Sequence, residues 1–255
     1  MSTDTGITAA RRPVTAAFLI ASAALSIIGF VVLGTQFGWP EVLDEPGTTA
    51  LDAYRDAETA IRAGFYLMAM ASLAMIPAAF GLHAALSRDQ AAARTITTLG
   101  VLGAFAQMLG WLRWVTAVPV QADLWHQAGT DEAARFAVAT SYDTLNAYAG
   151  GTLGEHLGWL LQGLWAVGVF VLALRAVGVP RWFSAIGLAI SVGWAVLTPI
   201  GTAADVAWAE TAGVAFLYSA WYVWMAAFGV VLLVRKVGPA DVPPTLAARP
   251  LPGRP

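Results

Sequence analysis

Residues 150–182, GGTLGEHLGWLLQGLWAVGVFVLALRAVGVPRW, decide the fold. From Thr152 to Ala176 the run is predominantly apolar, and at ~1.5 Å per helical residue it is long enough to cross the ~30 Å hydrocarbon layer of a bilayer. Near its start stand Glu155 and His156, and near its end Arg175. The GVPRW link that follows has room only for a turn, so the apolar run from Phe183 to about Ile200 must return as the next span.

The whole chain has the same character. Of 255 residues 58% are hydrophobic and 12% charged, about half the charge of an ordinary soluble domain. This is the composition of an integral membrane protein, and the formal net charge of −2 gives no basis for a nucleic-acid partner. With no cysteine, disulfides, thiolate metal sites and cysteine nucleophiles are excluded. Any cofactor, whose identity the sequence leaves open, would be held by histidines and carboxylates.

The sequence predicts an all-α polytopic bundle of six spans. Val14–Gly34 follows Arg11-Arg12-Pro13 and is long enough to be a retained helix, with a twin-arginine export signal as the alternative. An acidic loop leads to the second span, Ala63–Leu86, where Pro77 predicts a kink. The third covers Thr95–Ala117. An external segment begins at Pro119 and holds a short surface or re-entrant helix, with Asp131-Glu132 at its positive N-terminal end and Gly150-Gly151 at its close. Thr152–Ala176, Phe183–Ile200 and Thr211–Val234 complete the six. Residues 1–237 are thus one transmembrane domain, and 238–255 a disordered Pro-rich tail.

With this topology the inner segments carry Arg11, Arg12, Arg88, Arg94, Arg175, Arg181, Arg235, Lys236, Arg249 and Arg254, and the outer ones only Arg55, Arg62, Arg113 and Arg135. The bias places both termini in the cytoplasm.

Residues 160–199, LLQGLWAVGVFVLALRAVGVPRWFSAIGLAISVGWAVLTP, combine a Gly-Leu-Trp helix, a Pro-Arg-Trp turn and a glycine-containing return helix. This hairpin resembles the bacterial six-helix membrane family catalogued as domain of unknown function four-three-eight-six. The resemblance implies a six-helix bundle in a bacterial cytoplasmic membrane, and it implies no reaction.

Charged residues and histidines within spans are functional candidates by default because burying them in lipid is costly. Glu155, His156 and Arg113 fall in one layer near the outer headgroups, together with Arg62 and Glu210. As a site, Glu155, His156 and Arg113 would carry the chemistry, with an Arg113–Glu155 ion pair and the imidazole of His156 as proton carrier. As a purely structural layer, the same charges would knit helices together or snorkel to water. Glu155 and His156 point about 100° apart on a helix, so they cannot both face one partner squarely. Gly154 and Gly158 flank them in a GxxxG pattern that permits close helix approach.

Aromatic walls would come from Trp111, Trp114, Trp159, Tyr218, Trp221 and Tyr222, the last three sharing residues of one helical face. No metal site is predicted; His126 and His156 with Glu155 are the weak candidates, and His83 falls at the inner end of its span. Gln107 and Gln162 lie deep enough to hydrogen-bond across helices or to line a polar path. Membrane lipid is the expected partner. The expected function is an outward-facing polar and aromatic pocket that binds or transforms a small lipophilic molecule. The alternatives are a transporter or accessory subunit, and a structural or regulatory protein without turnover.

Overall fold

The computed structural model describes residues 9–43, 45–87, 90–204 and 216–239. Its helices are α1 (Pro13–Phe37), α2 (Gly47–Asp56), α3 (Glu58–Leu86), α4 (Gln90–Gln127), α5 (Glu132–Leu145), α6 (Gly158–Ala173), α7 (Arg181–Ala204) and α8 (Ser219–Val234). Six stretches are long and apolar enough to cross a membrane. They pack in the order α8, α1, α3, α4, α6, α7, and α7 touches α8 only lightly.

Local chemistry sets the ends of α1. Pro13 starts it where a missing N–H costs nothing, and Gly38 ends it at φ +67° with its N–H bonded to the Leu33 carbonyl. α3 begins at Glu58, earlier than hydropathy predicts, directly after Ala57, a non-helical turn residue (φ −133°, ψ 28°) that separates it from α2. Pro77 is accommodated within α3.

Two predicted boundaries move. The third span does not stop before Pro119 but runs through it to Gln127. Its 38 residues make a rod of about 57 Å at ~1.5 Å per residue, well beyond the ~30 Å hydrocarbon layer. Nor do Gly150 and Gly151 end the helix that precedes the fourth span. α5 continues through a π-helical segment, Asn146–Leu157, straight into α6. The Asp131 side chain caps α5 by accepting from the Ala134 N–H at 3.1 Å.

The projecting end of α4 is clothed by α2 and α5. Tyr54 donates to the Trp114 carbonyl at 2.8 Å, Trp125 Nε1 to Asp52 at 2.7 Å and Gln121 Nε2 to Ser141 at 3.1 Å. Burial raises the Tyr54 hydroxyl pKa well above its ordinary value. Arg135 lies over the Trp125 ring at 3.9 Å.

At the opposite end the backbone forms a clasp. Ala10 pairs with Val237, and Val177 with Gly238, so the segment before α1, the α6–α7 turn and the segment after α8 meet on one face. Gly178 sits there at φ +86°, where a Cβ would fall 2.1 Å from the Lys236 carbonyl oxygen. Most of the Pro-rich tail lies outside the described residues.

Candidate functional site

Because lipid tails are as apolar as leucine, helices in a bilayer are held by close packing and by polar contacts rather than by a hydrophobic drive. The seam between α4 and α6 shows both. A Cβ on Gly110 would lie 2.7 Å from the Gly154 Cα, one on Gly158 2.7 Å from Gln107 Cγ, and one on Gly103 2.8 Å from the Gln162 nitrogen.

The residues facing α4 are Asn146, Gly150, Gly154, Gly158 and Gln162, an unbroken four-residue repeat. On an α-helix a four-residue step overshoots by about 40°, so four steps would carry the row about 160° away from its partner. The wider i→i+5 winding of residues 146–157 underturns and cancels that drift. The π-helical segment is therefore what keeps one glycine row against α4.

At the α5 end of this seam Arg113 is buried at 6% exposure. Its Nη1 donates to the Gly110 carbonyl at 2.6 Å, its Nη2 to Asn146 Oδ1 at 2.9 Å, and its guanidinium lies 5.2 Å from the Trp114 ring centroid. Gly150 leaves space for it, since a Cβ there would stand 2.4 Å from Nη2. Half-buried Glu155 lies within electrostatic range of Arg113 on one side and Tyr218 on the other. His156 is half-buried, with Nδ1 lacking a hydrogen-bond partner. Arg62 is half exposed and pairs with Glu58 one turn back at 3.1 Å, a surface contact of little energy. Glu210 lies outside the described residues. Among the described residues no three His, Asp or Glu side chains gather as metal ligands.

The predicted aromatic residues divide into two groups. Trp111 and Trp114 join Phe37, Trp39 and Phe65 in a closed stack, with Phe65 and Trp114 at 4.6 Å and nearly parallel. Trp159, Tyr218, Trp221 and Tyr222 form a second cluster around Trp194. Phe30 links the two, meeting Trp39 at 4.8 Å and Tyr218 at 6.4 Å.

The second cluster has an opening. Between α1 and α8 runs a groove of about 260 Å³ lined by Ser26, Ile27, Phe30, Tyr218, Tyr222 and Val223, among others. Ile27 (45% exposed) and Val223 (57%) stand at its mouth on the lipid-facing surface, while Ser26, Tyr218 and Tyr222 form a floor at 2% exposure each. The three floor hydroxyls turn toward one another. Ser26 Oγ and Tyr218 OH nevertheless lack a partner in hydrogen-bond geometry.

Behind the floor the polar path continues. Tyr222 approaches Gln162, and Gln162 Oε1 accepts from Gln107 Nε2, which also donates to the Gly158 carbonyl at 3.4 Å. The expected interhelical pairing of Gln107 with Gln162 is thus present, and it connects to the groove. Ser26 and Phe30 were not singled out by sequence reasoning. A signal existed in Ser22 and Ser26, two small polar residues one turn apart in an apolar span; Ser22 is satisfied by the Ala71 carbonyl at 2.8 Å.

Fold and seam together define a multi-pass membrane helix bundle whose apolar core is crossed by a few buried polar side chains. The model of the family described as Domain of unknown function (DUF4386) matches residues 14–235, and the chain belongs to that family. No curated protein and no solved structure matches it.

Proposed function

We propose that this protein binds a small lipophilic molecule that reaches the groove between α1 and α8 sideways from the bilayer. The observation that carries this reading is the pair of buried, unpartnered hydroxyls, Ser26 and Tyr218, at the floor of a groove whose rim faces lipid. A buried polar group without a partner costs about 1–3 kcal/mol, and an occupant with one polar atom removes that cost. Tyr218 and Tyr222 supply the floor and Phe30 the wall, with Trp159 and Trp221 packed behind the two tyrosines. Arg113 is a positioning residue in this reading, bonded to Gly110 and Asn146 away from the groove, and Glu155 on the π-helical segment lies within electrostatic range of Tyr218. Both chain ends face the cytoplasm of a bacterial cell, supported by the concentration of Arg and Lys at that end.

Photolabelling tests the reading. A long-chain alcohol bearing a diazirine, incorporated with the full chain in lipid nanodiscs, is expected to label Ile27–Val31 and Ser219–Val223 saturably. Val223→Trp, which fills the mouth from an exposed position, is expected to abolish that labelling. Even labelling of every lipid-facing helix surface, insensitive to Val223→Trp, overturns it.

A further inference from the structure

The groove also carries information about the head of its occupant, an inference that rests on the binding function proposed above. We infer that the site selects an uncharged lipid whose head is a flat, carbonyl-bearing ring, the chemistry of an isoprenoid quinone, and not an alcohol, a carboxylate or a phosphate.

Three observations converge. The first is charge. The lining named for the groove consists of serine, tyrosine, phenylalanine, isoleucine and valine, with no ionisable group of either sign apart from the phenols. An anionic head would enter without a counter-charge, and with Glu155 within electrostatic range of Tyr218, in surroundings where that is most expensive.

The second is the direction of the hydrogen bonds. Gln107 Nε2 has two acceptors, the Gly158 carbonyl and Gln162 Oε1. A backbone carbonyl can only accept, so the amide orientation of Gln107 is fixed, and Gln162 must present Oε1 to it and Nε2 to Tyr222. Gln162 Nε2 faces Tyr222 without reaching hydrogen-bond geometry, and Ser26 Oγ and Tyr218 OH at the floor likewise lack a partner. Each of these two hydroxyls carries an unspent O–H, so the groove floor presents donors that a carbonyl oxygen, with two lone pairs, can accept. A carbonyl oxygen accepts and does not donate; an alcohol brings a further proton that would itself need an acceptor.

The third is shape. The rings of Phe30 and Tyr218, both lining the groove, lie 6.4 Å apart at 35°, and Tyr222 stands against Tyr218 at 4.8 Å. Aromatic walls favour offset or edge contact with another flat ring. The volume of about 260 Å³ equals that of roughly nine waters at ~30 Å³ each. This accommodates a substituted ring and leaves an attached chain to lie along Ile27, Val31 and Val223, in lipid.

The test extends the photolabelling assay to competition. Decylubiquinone, decanol and decylbenzene have the same tail with a carbonyl ring, a hydroxyl and a bare ring as heads, and each is titrated against the diazirine alcohol in nanodiscs of zwitterionic lipid. Decylubiquinone is expected to displace the label at about one-tenth the concentration needed for either of the others, the worth of roughly one buried hydrogen bond. That advantage is expected to vanish in Ser26→Ala and in Tyr218→Phe, each checked for an unchanged melting profile. Should either variant fail to fold, Ser26→Thr, which keeps the hydroxyl while crowding the floor, is compared with Ser26→Val, its hydroxyl-free isostere; the threonine is expected to retain more of the advantage. If the label maps to the groove but decylubiquinone is no better than decylbenzene or decanol, the head-group inference fails and the binding function stands. If the label does not map to the groove at all, both fail.

Discussion

Replacing Gly150 by alanine separates the packing account of the α4–α6 seam from helix propensity, because the two forecast opposite signs. In an ordinary helix interior Gly→Ala stabilises by about 1 kcal/mol. Here the new Cβ would stand 2.4 Å from Arg113 Nη2 and 2.7 Å from its Cζ, so the guanidinium must leave its place and with it the bonds to Gly110 O and Asn146 Oδ1. Side-chain hydrogen bonds within membranes range up to about 1.7 kcal/mol. Two charge-assisted bonds near that limit are worth about 3 kcal/mol, leaving a net loss of about 2 kcal/mol after the propensity gain. Reversible unfolding in mixed micelles of detergent and SDS measures this quantity. The decisive comparison is a double-mutant cycle: in an Arg113→Ala background nothing remains for the Cβ to displace, so Gly150→Ala is expected to become stabilising by about 1 kcal/mol. A stabilising Gly150→Ala in the otherwise unaltered chain would refute the role given to Arg113 at this seam.

Other outcomes follow from the same geometry. Gln107→Leu leaves Gln162 facing an apolar neighbour and is expected to cost about 1–2 kcal/mol in the same unfolding assay, whereas Gln107→Leu with Gln162→Leu together is expected to recover part of that loss, since removing both partners leaves less unsatisfied. Tyr54→Phe removes the 2.8 Å bond to the Trp114 carbonyl and is expected to cost about 1 kcal/mol at neutral pH. Because burial raises the folded-state pKa of Tyr54 above the unfolded value, its contribution is full below about pH 10 and is lost as pH rises beyond that point; melting temperature against pH is expected to fall less steeply above pH 10 in Tyr54→Phe. The chain has no cysteine, so single introductions report sidedness: in intact cells Thr130→Cys is expected to react with an impermeant maleimide and Val177→Cys only after permeabilisation. The reverse pattern would invert the proposed orientation.

Hydropathy made the six spans and the α6–α7 hairpin legible because twenty apolar residues have one stable fate in a bilayer. It was less informative wherever an irregularity is paid for by tertiary contacts. Pro119 reads as a stop, yet α4 passes through it because its far end is supported by α2 and α5. Gly150-Gly151 reads as a break, yet the pair lies inside a continuous π-helical stretch, with Gly150 packed on Arg113. Glu155 was the natural partner for Arg113 by charge and lies within its electrostatic range; what charge pattern did not disclose are the bonds of Arg113 to a backbone carbonyl three residues back and to neutral Asn146. Tyr218 and Tyr222 were visible from their spacing. The importance of Ser26 was not, because a lone serine in an apolar span acquires meaning only when the facing helix is known.

The groove is bounded by α1 and α8, the first and the last membrane helix among the described residues, which gives it a place in time as well as in space. About 200 residues separate the end of α1 from the end of α8; at roughly 5–20 residues per second the ribosome needs roughly ten to forty seconds to make them. Throughout that interval the Ser26 face of α1 can be covered only by lipid or by other proteins, and the clasp of Ala10 with Val237 cannot close. The groove is thus completed only when α8 joins α1, and a nascent chain halted anywhere before α8 is inserted in the membrane without it.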